Sequence, residues 1–239
     1  SPAVRLLLTF ILCVGFLSND PRLIVGILHF SIDNYSLSVG RWAWPLTLLS
    51  VLGFIYSFNM TDGMNGLAIG QALIWSILLG ALSDGDLQWF LITSACVLAV
   101  AFCINIRGKV FLGDSGAYAL SAMFAVIMIQ SYMEIPVLKF DMIIIWTLIP
   151  IVDCLRLIIT RLASGTSPLS PDEKHFHHLL SGILPNRLTV PTILTFLACA
   201  GILTIAFPEQ TLVWLGASLA LYILVLIIAA MKKPTDRTI

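Results

Sequence analysis

Apolar residues arrive along this chain in long blocks separated by short polar runs. Eight stretches, 3–17, 42–58, 64–82, 87–105, 116–133, 140–163, 188–207 and 210–231, are long enough or nearly so to be read as membrane spans. Roughly 30 Å of hydrocarbon calls for about 20 mostly apolar residues in a helix. Lipid holds no water to satisfy backbone N–H and C=O groups, so each block is expected to be helical. The ten-residue alternation of a membrane barrel is absent, as is any repeat of fixed period. The expected fold class is all-α: one transmembrane domain over 1–239, a polytopic membrane helix bundle of about eight transmembrane helices. Between 18 and 41, "RLIVGILHF" and "YSLSVG" alternate around a turn and predict a small outer β-hairpin. Trp42 and Trp44 come next, where an interfacial aromatic belt is expected.

Composition agrees with the pattern. Of 239 residues, 59% are hydrophobic and only 11% charged, against roughly 25% charged in a soluble domain. The formal net charge is zero, and no basic stripe exists, so nucleic acid is excluded as a partner. Cys13, Cys96, Cys103, Cys154 and Cys199 all lie inside apolar blocks. Without metal-knuckle spacing or a loop pair to bridge, they read as small hydrophobes.

Lysine and arginine set the orientation. With alternating spans and Arg5 on the inner side, that side also receives Arg107, Lys109, Arg156, Arg161, Lys174, Arg187, Lys232, Lys233 and Arg237. The outer side receives only Arg22, Arg41 and Lys139. The expectation is an inner (plasma) membrane protein, multi-pass, with both ends of the chain and the polar loops cytoplasmic.

Three inner loops carry unusual polar content: "NMTDGMNGLA" at 59–68, "NIRGKVFLGDSG" at 105–116 and "SGTSPLSPDEKHFHHLLSGILPNR" at 164–187. In the first, Asn59, Asp62 and Asn65 are spaced by three and would share a stripe if the helix continued. The competing reading is an ordinary turn, because Asp-Gly and Asn-Gly are strong turn formers.

The second loop holds Gly113-Asp114-Ser115-Gly116. The same tetrapeptide surrounds the nucleophile of trypsin-like proteases, but that chemistry needs a histidine and an aspartate on an extracellular β-fold. Here Ser115 is better read as a helix N-cap, with Asp114 beside the positive helix end. A carboxylate near two glycines and Lys109 is equally suited to hold Mg²⁺ under a phosphate.

In the third loop Lys174, His175, His177 and His178 fall within five residues, and they include three of the four histidines. Zinc is one reading, although no HExxH pattern or cysteine accompanies them. Phosphate recognition is another, since imidazoles and a lysine donate to phosphate oxygens or place a proton. The prolines of "SPLSP" are expected to stiffen the loop. Asp153 and Arg156 lie three apart inside the sixth block. They are expected to pair, either as part of a site or as a tie between helices.

In this order the three loops resemble the polyprenyl-phosphate N-acetylhexosamine-1-phosphate transferases. Residues 59–68 are similar to the family's NxxDGxDGLA motif, and 110–116 ("VFLGDSG") to its FMGDxGS-type motif. Residues 167–178 are similar to the SPFSPDxxHxHH loop of the bacterial branch that uses UDP-N-acetylglucosamine. The resemblance implies transfer of an N-acetylhexosamine 1-phosphate from a UDP-N-acetylhexosamine to a polyprenyl (undecaprenyl) phosphate, with release of UMP. It implies Mg²⁺ (or Mn²⁺) as cofactor, with Asp114 its ligand and Asp62 a second catalytic carboxylate supported by Asn59. Phe111 would stack on uracil and Asn105 would hydrogen-bond nearby, while Lys174, His175, His177 and His178 would grip phosphates or sugar. A homodimer is an expectation of the same kind.

Two departures stand out. Asn65 occupies a position where the family often has aspartate, and no Asp-Asp pair occurs in the chain although the family carries one upstream. The resemblance therefore implies that roughly three helices and one motif precede Ser1, and that these 239 residues alone are inactive. A transporter or channel segment is the rival of another class, and it would place its charges mid-membrane between broken helices. A sister transferase for a different UDP-aminosugar is the rival within the class.

Overall fold

The computed structural model describes residues 2–167 and 174–232. All eight apolar blocks are helical. In chain order the helices are α1 (Pro2–Asn19), α2 (Ala43–Thr61), α3 (Leu67–Leu82), α4 (Gly85–Asn105), α5 (Gly113–Glu134), α6 (Phe140–Trp146), α7 (Leu148–Ala163), α8 (Phe176–Ser181), α9 (Asn186–Ala206) and α10 (Thr211–Met231). Five of them, α2, α4, α5, α9 and α10, are long and apolar enough to cross a membrane, and the bent pair α6–α7 makes a sixth candidate. The first and third blocks form shorter apolar helices.

The exposed surface is what a lipid solvent predicts. On α10 the buried residues are Thr211, Ser218 and Tyr222, while Leu212, Val213, Leu221, Ile223, Leu224 and Ile227 are exposed. Hydrocarbon is as apolar as leucine, so small and polar side chains turn inward and aliphatic ones face out. Helix α3 occupies the centre, with Trp75 and Leu79 fully buried. Around Trp75 pack Phe54, Phe58 and Phe124, with ring centroids 5.4–5.8 Å from the indole.

The sixth block was expected as one segment and is broken instead: α6 and α7 meet at a 70° bend. Pro150 has no N–H to offer the Trp146 carbonyl one turn back. That carbonyl accepts from Trp75 Nε1 at 3.0 Å, and the Trp146 indole donates to Thr204 Oγ1 at 2.8 Å. Backbone groups freed in an apolar medium need such partners.

The predicted hairpin is present. Strands β1 (Ile27–His29) and β2 (Ser36–Ser38) pair antiparallel, with Leu28 opposite Leu37. Tyr132 fixes it to the bundle, accepting from the His29 N–H at 2.7 Å and donating to the Ile27 carbonyl at 2.8 Å. Buried Asp141 accepts from the Ser31 N–H at 3.1 Å and from its hydroxyl at 3.0 Å. The hairpin occupies one end of the bundle, and the three polar loops gather at the other.

Candidate active site

The first polar loop is a turn. Helix α2 stops at Thr61, Asp62 is its C-cap, and residues 62–66 turn before α3 begins. The stripe through Asn59, Asp62 and Asn65 is thus broken by turn chemistry. Gly66 sits at φ +88°, and a Cβ there would press on Phe102 and Ile106 at 3.1–3.3 Å; only glycine fits both demands. Asp62 is half-buried, and burial pushes its carboxyl up to about 6. The Gly113 N–H opposes that shift and the nearby Asp114 charge adds to it. Asn59 has its Oδ1 buried without a hydrogen-bond partner among the described residues.

Asn105 joins the first and second loops. Its side chain accepts from the Gly66 N–H at 2.5 Å and donates to the Val110 carbonyl at 2.6 Å, and it is only 3% exposed. In this structure Asn105, expected to hydrogen-bond near the nucleotide, ties two backbones together. Phe111, by contrast, is 75% exposed and open to receive a flat ring.

Helix α5 begins at Gly113, with Leu112 in the capping position. Ser115 is therefore not the N-cap, a correction to the sequence reading. Gly113 adopts φ +65° at the entry to the helix, and Ser115 lies within the first turn. Asp114 does lie in that first turn, where the helix dipole favours its charge. The cation beside it is Arg5 of α1, whose guanidinium pairs with the carboxylate.

The third loop is described at 164–167 and from Lys174 onward; Pro168 and Pro171, with the stiffness expected of them, lie outside the described residues. His177 is 3% exposed and packs on the first loop, where a Cβ at Gly63 would overlap its ring. Burial, then the neighbouring His178 and His175, hold its pKa down to about 3. His177 thus packs against the first loop in this structure, with its Nε2 buried and without a hydrogen-bond partner among the described residues. Its ring lies parallel to that of His175, with centroids 5.5 Å apart, and 4.4 Å from that of His178.

The expected Asp153–Arg156 pair forms, with Nη2 to Oδ1 at 2.6 Å. It also holds the histidine loop. Asp153 Oδ2 accepts from the Phe176 N–H at 2.9 Å and stands 3.5 Å from His175 Nδ1. Lys174 is exposed and its carbonyl accepts from Arg156 Nη2 at 2.5 Å.

Contacts among Gly63, Gly66, Asn105, Asp62, Asp114 and His177 bring all three loops together. Sequence reasoning passed over the link from Arg5 to Asp114 and the link from Asp153 to His175, because each joins residues far apart in the chain. Among the described residues no group of three His, Cys, Asp or Glu could hold a metal, so a closed protein cage is not formed. Two carboxylates near enough for Asp114 to act on Asp62 do suit Mg²⁺, which takes one or two carboxylates and completes its shell with water and substrate phosphates.

Residues 1–132 match the family model described as glycosyl transferase family 4. The chain is 28% identical over 221 residues to a decaprenyl-phosphate N-acetylglucosaminephosphotransferase of Mycolicibacterium smegmatis, covering 80% of this chain and 54% of that protein. It is 27% identical over 239 residues to a probable undecaprenyl-phosphate N-acetylglucosaminyl 1-phosphate transferase of Bacillus subtilis, covering 97% and 65%. Against an undecaprenyl-phosphate alpha-N-acetylglucosaminyl 1-phosphate transferase of Escherichia coli it is 28% identical over 169 residues, covering 66% and 46%. The chain thus spans less than two thirds of the length of these curated relatives.

Proposed function

Because the chain belongs to glycosyl transferase family 4, we propose that the protein transfers an N-acetylhexosamine 1-phosphate, most simply that of N-acetylglucosamine, from its UDP-sugar to a polyprenyl phosphate in the membrane. The observation that carries this reading is the meeting of Asp62, Asp114 and the histidine loop at one end of a lipid-facing bundle. A soluble nucleotide sugar and a lipid-anchored acceptor can meet only at a membrane surface. The excess of basic residues at this end supports a cytoplasmic site in the cell's inner membrane.

In the proposed reaction a phosphate oxygen of the polyprenyl phosphate attacks the phosphorus bonded to the sugar. The bond from that phosphorus to the bridging oxygen breaks, and UMP leaves with the electron pair. Asp114 would hold Mg²⁺ with Asp62 beside it, and the ion would supply charge neutralisation on the pyrophosphate. As an ionised carboxylate beside that ion, Asp62 is suited to take a remaining proton from the acceptor phosphate. Exposed Phe111 offers a face for uracil. Lys174, His175 and His178 offer donors to phosphate or sugar oxygens, with His177 packed behind them.

Radiolabelled UDP-N-acetylglucosamine and polyprenyl phosphate supplied with the protein in membranes test the reading. The expected result is label in an organic-extractable lipid with stoichiometric UMP, abolished by Asp114→Asn. Uptake of a solute with no lipid product would sink it. Label transferred only from another UDP-aminosugar would move the substrate within the class.

A further inference from the structure

We propose that Asp153 is a positioning residue for His175, acting through the imidazole Nδ1 and through the backbone on either side of it. The proposal rests on the transferase reading only for what His175 then does.

Asp153 lies on α7 and is 6% exposed. Its Oδ1 accepts from Arg156 Nη2 at 2.6 Å, Arg156 Nε at 3.1 Å and the Tyr222 hydroxyl of α10 at 3.0 Å. Its Oδ2 accepts from the Phe176 N–H at 2.9 Å and faces His175 Nδ1 at 3.5 Å. Arg156 Nη2 meanwhile donates to the Lys174 carbonyl at 2.5 Å. One ion pair one turn long therefore grips residues 174, 175 and 176 in succession: a carbonyl, an imidazole and an amide.

A tie between helices needs none of this. The Tyr222 bond already joins α7 to α10, and packing of Phe176 on Tyr222, with ring centroids 4.9 Å apart, already seats α8. What the carboxylate adds is direction. An acceptor facing Nδ1 favours the tautomer with its proton there, which leaves Nε2 as the nitrogen available to a ligand or a proton. Arg156 balances the charge of Asp153, so the pair orients the ring without adding net charge beside a phosphate.

The test uses the protein in detergent with ¹⁵N-labelled histidine, the four signals being assigned by subtraction in His175→Gln. Wild type should show His175 protonated at Nδ1, and Asp153→Asn should lose that preference. UMP release in Asp153→Asn should drop about 10- to 100-fold in kcat/KM, the usual effect of removing a carboxylate behind a working imidazole. Because that change strands the Arg156 charge, the double variant D153N/R156Q is measured alongside and should show the same tautomer loss. Tyr222→Phe removes a donor to the far oxygen and an acceptor for Arg156 Nε, but touches neither Oδ2 nor His175, so it should leave the tautomer intact with a smaller loss of activity. An unchanged His175 tautomer in both Asp153 variants overturns the proposal, as does a Tyr222→Phe loss equal to theirs. The tautomer readout requires no turnover: failure of the full-length protein to release UMP would overturn the transferase reading and leave the positioning result standing, whereas silence of these 239 residues alone is the expected result.

Discussion

The backbone of Gly63 lies against the imidazole of His177 so closely that a β-carbon at residue 63 would stand 2.9 Å from Cε1 and nearer still to Nε2. This contact joins the turn after α2 to the helix that carries the histidines.

Gly63→Ala is therefore expected to force the histidine helix outward, at a cost of about 1–3 kcal/mol for the overlap. Thermal unfolding should show the loss, and UMP release should fall with it. His177→Ala in the same protein makes room, so the double variant should recover stability relative to the sum of the single changes. Additive losses would mean that the two residues do not meet.

The buried imidazole also sets a pH dependence. The pKa of His177 is lowered from 6.5 to about 3, so the unfolded chain binds the proton more readily than the folded one. Its contribution to stability is complete above pH 6.5 and is lost as pH falls toward 3. Unfolding temperature measured from pH 7 to pH 4 should decline, and His177→Phe should flatten that decline. An identical decline in the variant would assign it to other groups.

Asp62 has the opposite sign. Its carboxyl is raised from 3.8 to about 6, so the folded protein holds the proton more readily than the unfolded one. The associated stability is present below pH 3.8 and lost as pH rises through about 6. A divalent cation at Asp114 would favour the ionised form. Mg²⁺ affinity is therefore expected to increase from pH 5 to pH 7, with proton release greatest near the Asp62 pKa, and Asp62→Asn should abolish the proton release. Calorimetry in buffers of different ionisation enthalpy measures it directly.

Arg5 competes with any cation for the Asp114 carboxylate. The pair is half-exposed, with side-chain accessibilities of 51% and 55%, and exposed pairs contribute little to stability. Arg5→Gln should leave the unfolding temperature almost unchanged while tightening Mg²⁺ binding several-fold, read from Mn²⁺ paramagnetic titration with Mg²⁺ competition. Unaltered cation affinity would remove Arg5 from the site.

At the bundle centre, Trp75→Phe opens a small cavity and leaves the Trp146 carbonyl without the donor that Pro150 cannot supply. A buried acceptor left unpaired costs about 1–3 kcal/mol. A lower unfolding temperature with full helicity is the expected result, and an unchanged one would show that the bend closes on another partner.

Hydropathy is a one-dimensional property, and its consequences are legible along the chain. The eight apolar blocks, the hairpin near residues 27–38 and the three polar loops all lie where local sequence places them, because lipid enforces helicity span by span and turns obey dipeptide chemistry. Pro150 was visible too, but whether a proline bends a membrane helix depends on a partner for the freed carbonyl, and Trp75 lies 71 residues away. That Asn105 ties two backbones and that His177 is buried against Gly63 could not be read from either loop alone. Arg5 meets Asp114 across 109 positions. Charge state and hydrogen-bond partner depend on burial and on what packs alongside, which only the folded bundle decides.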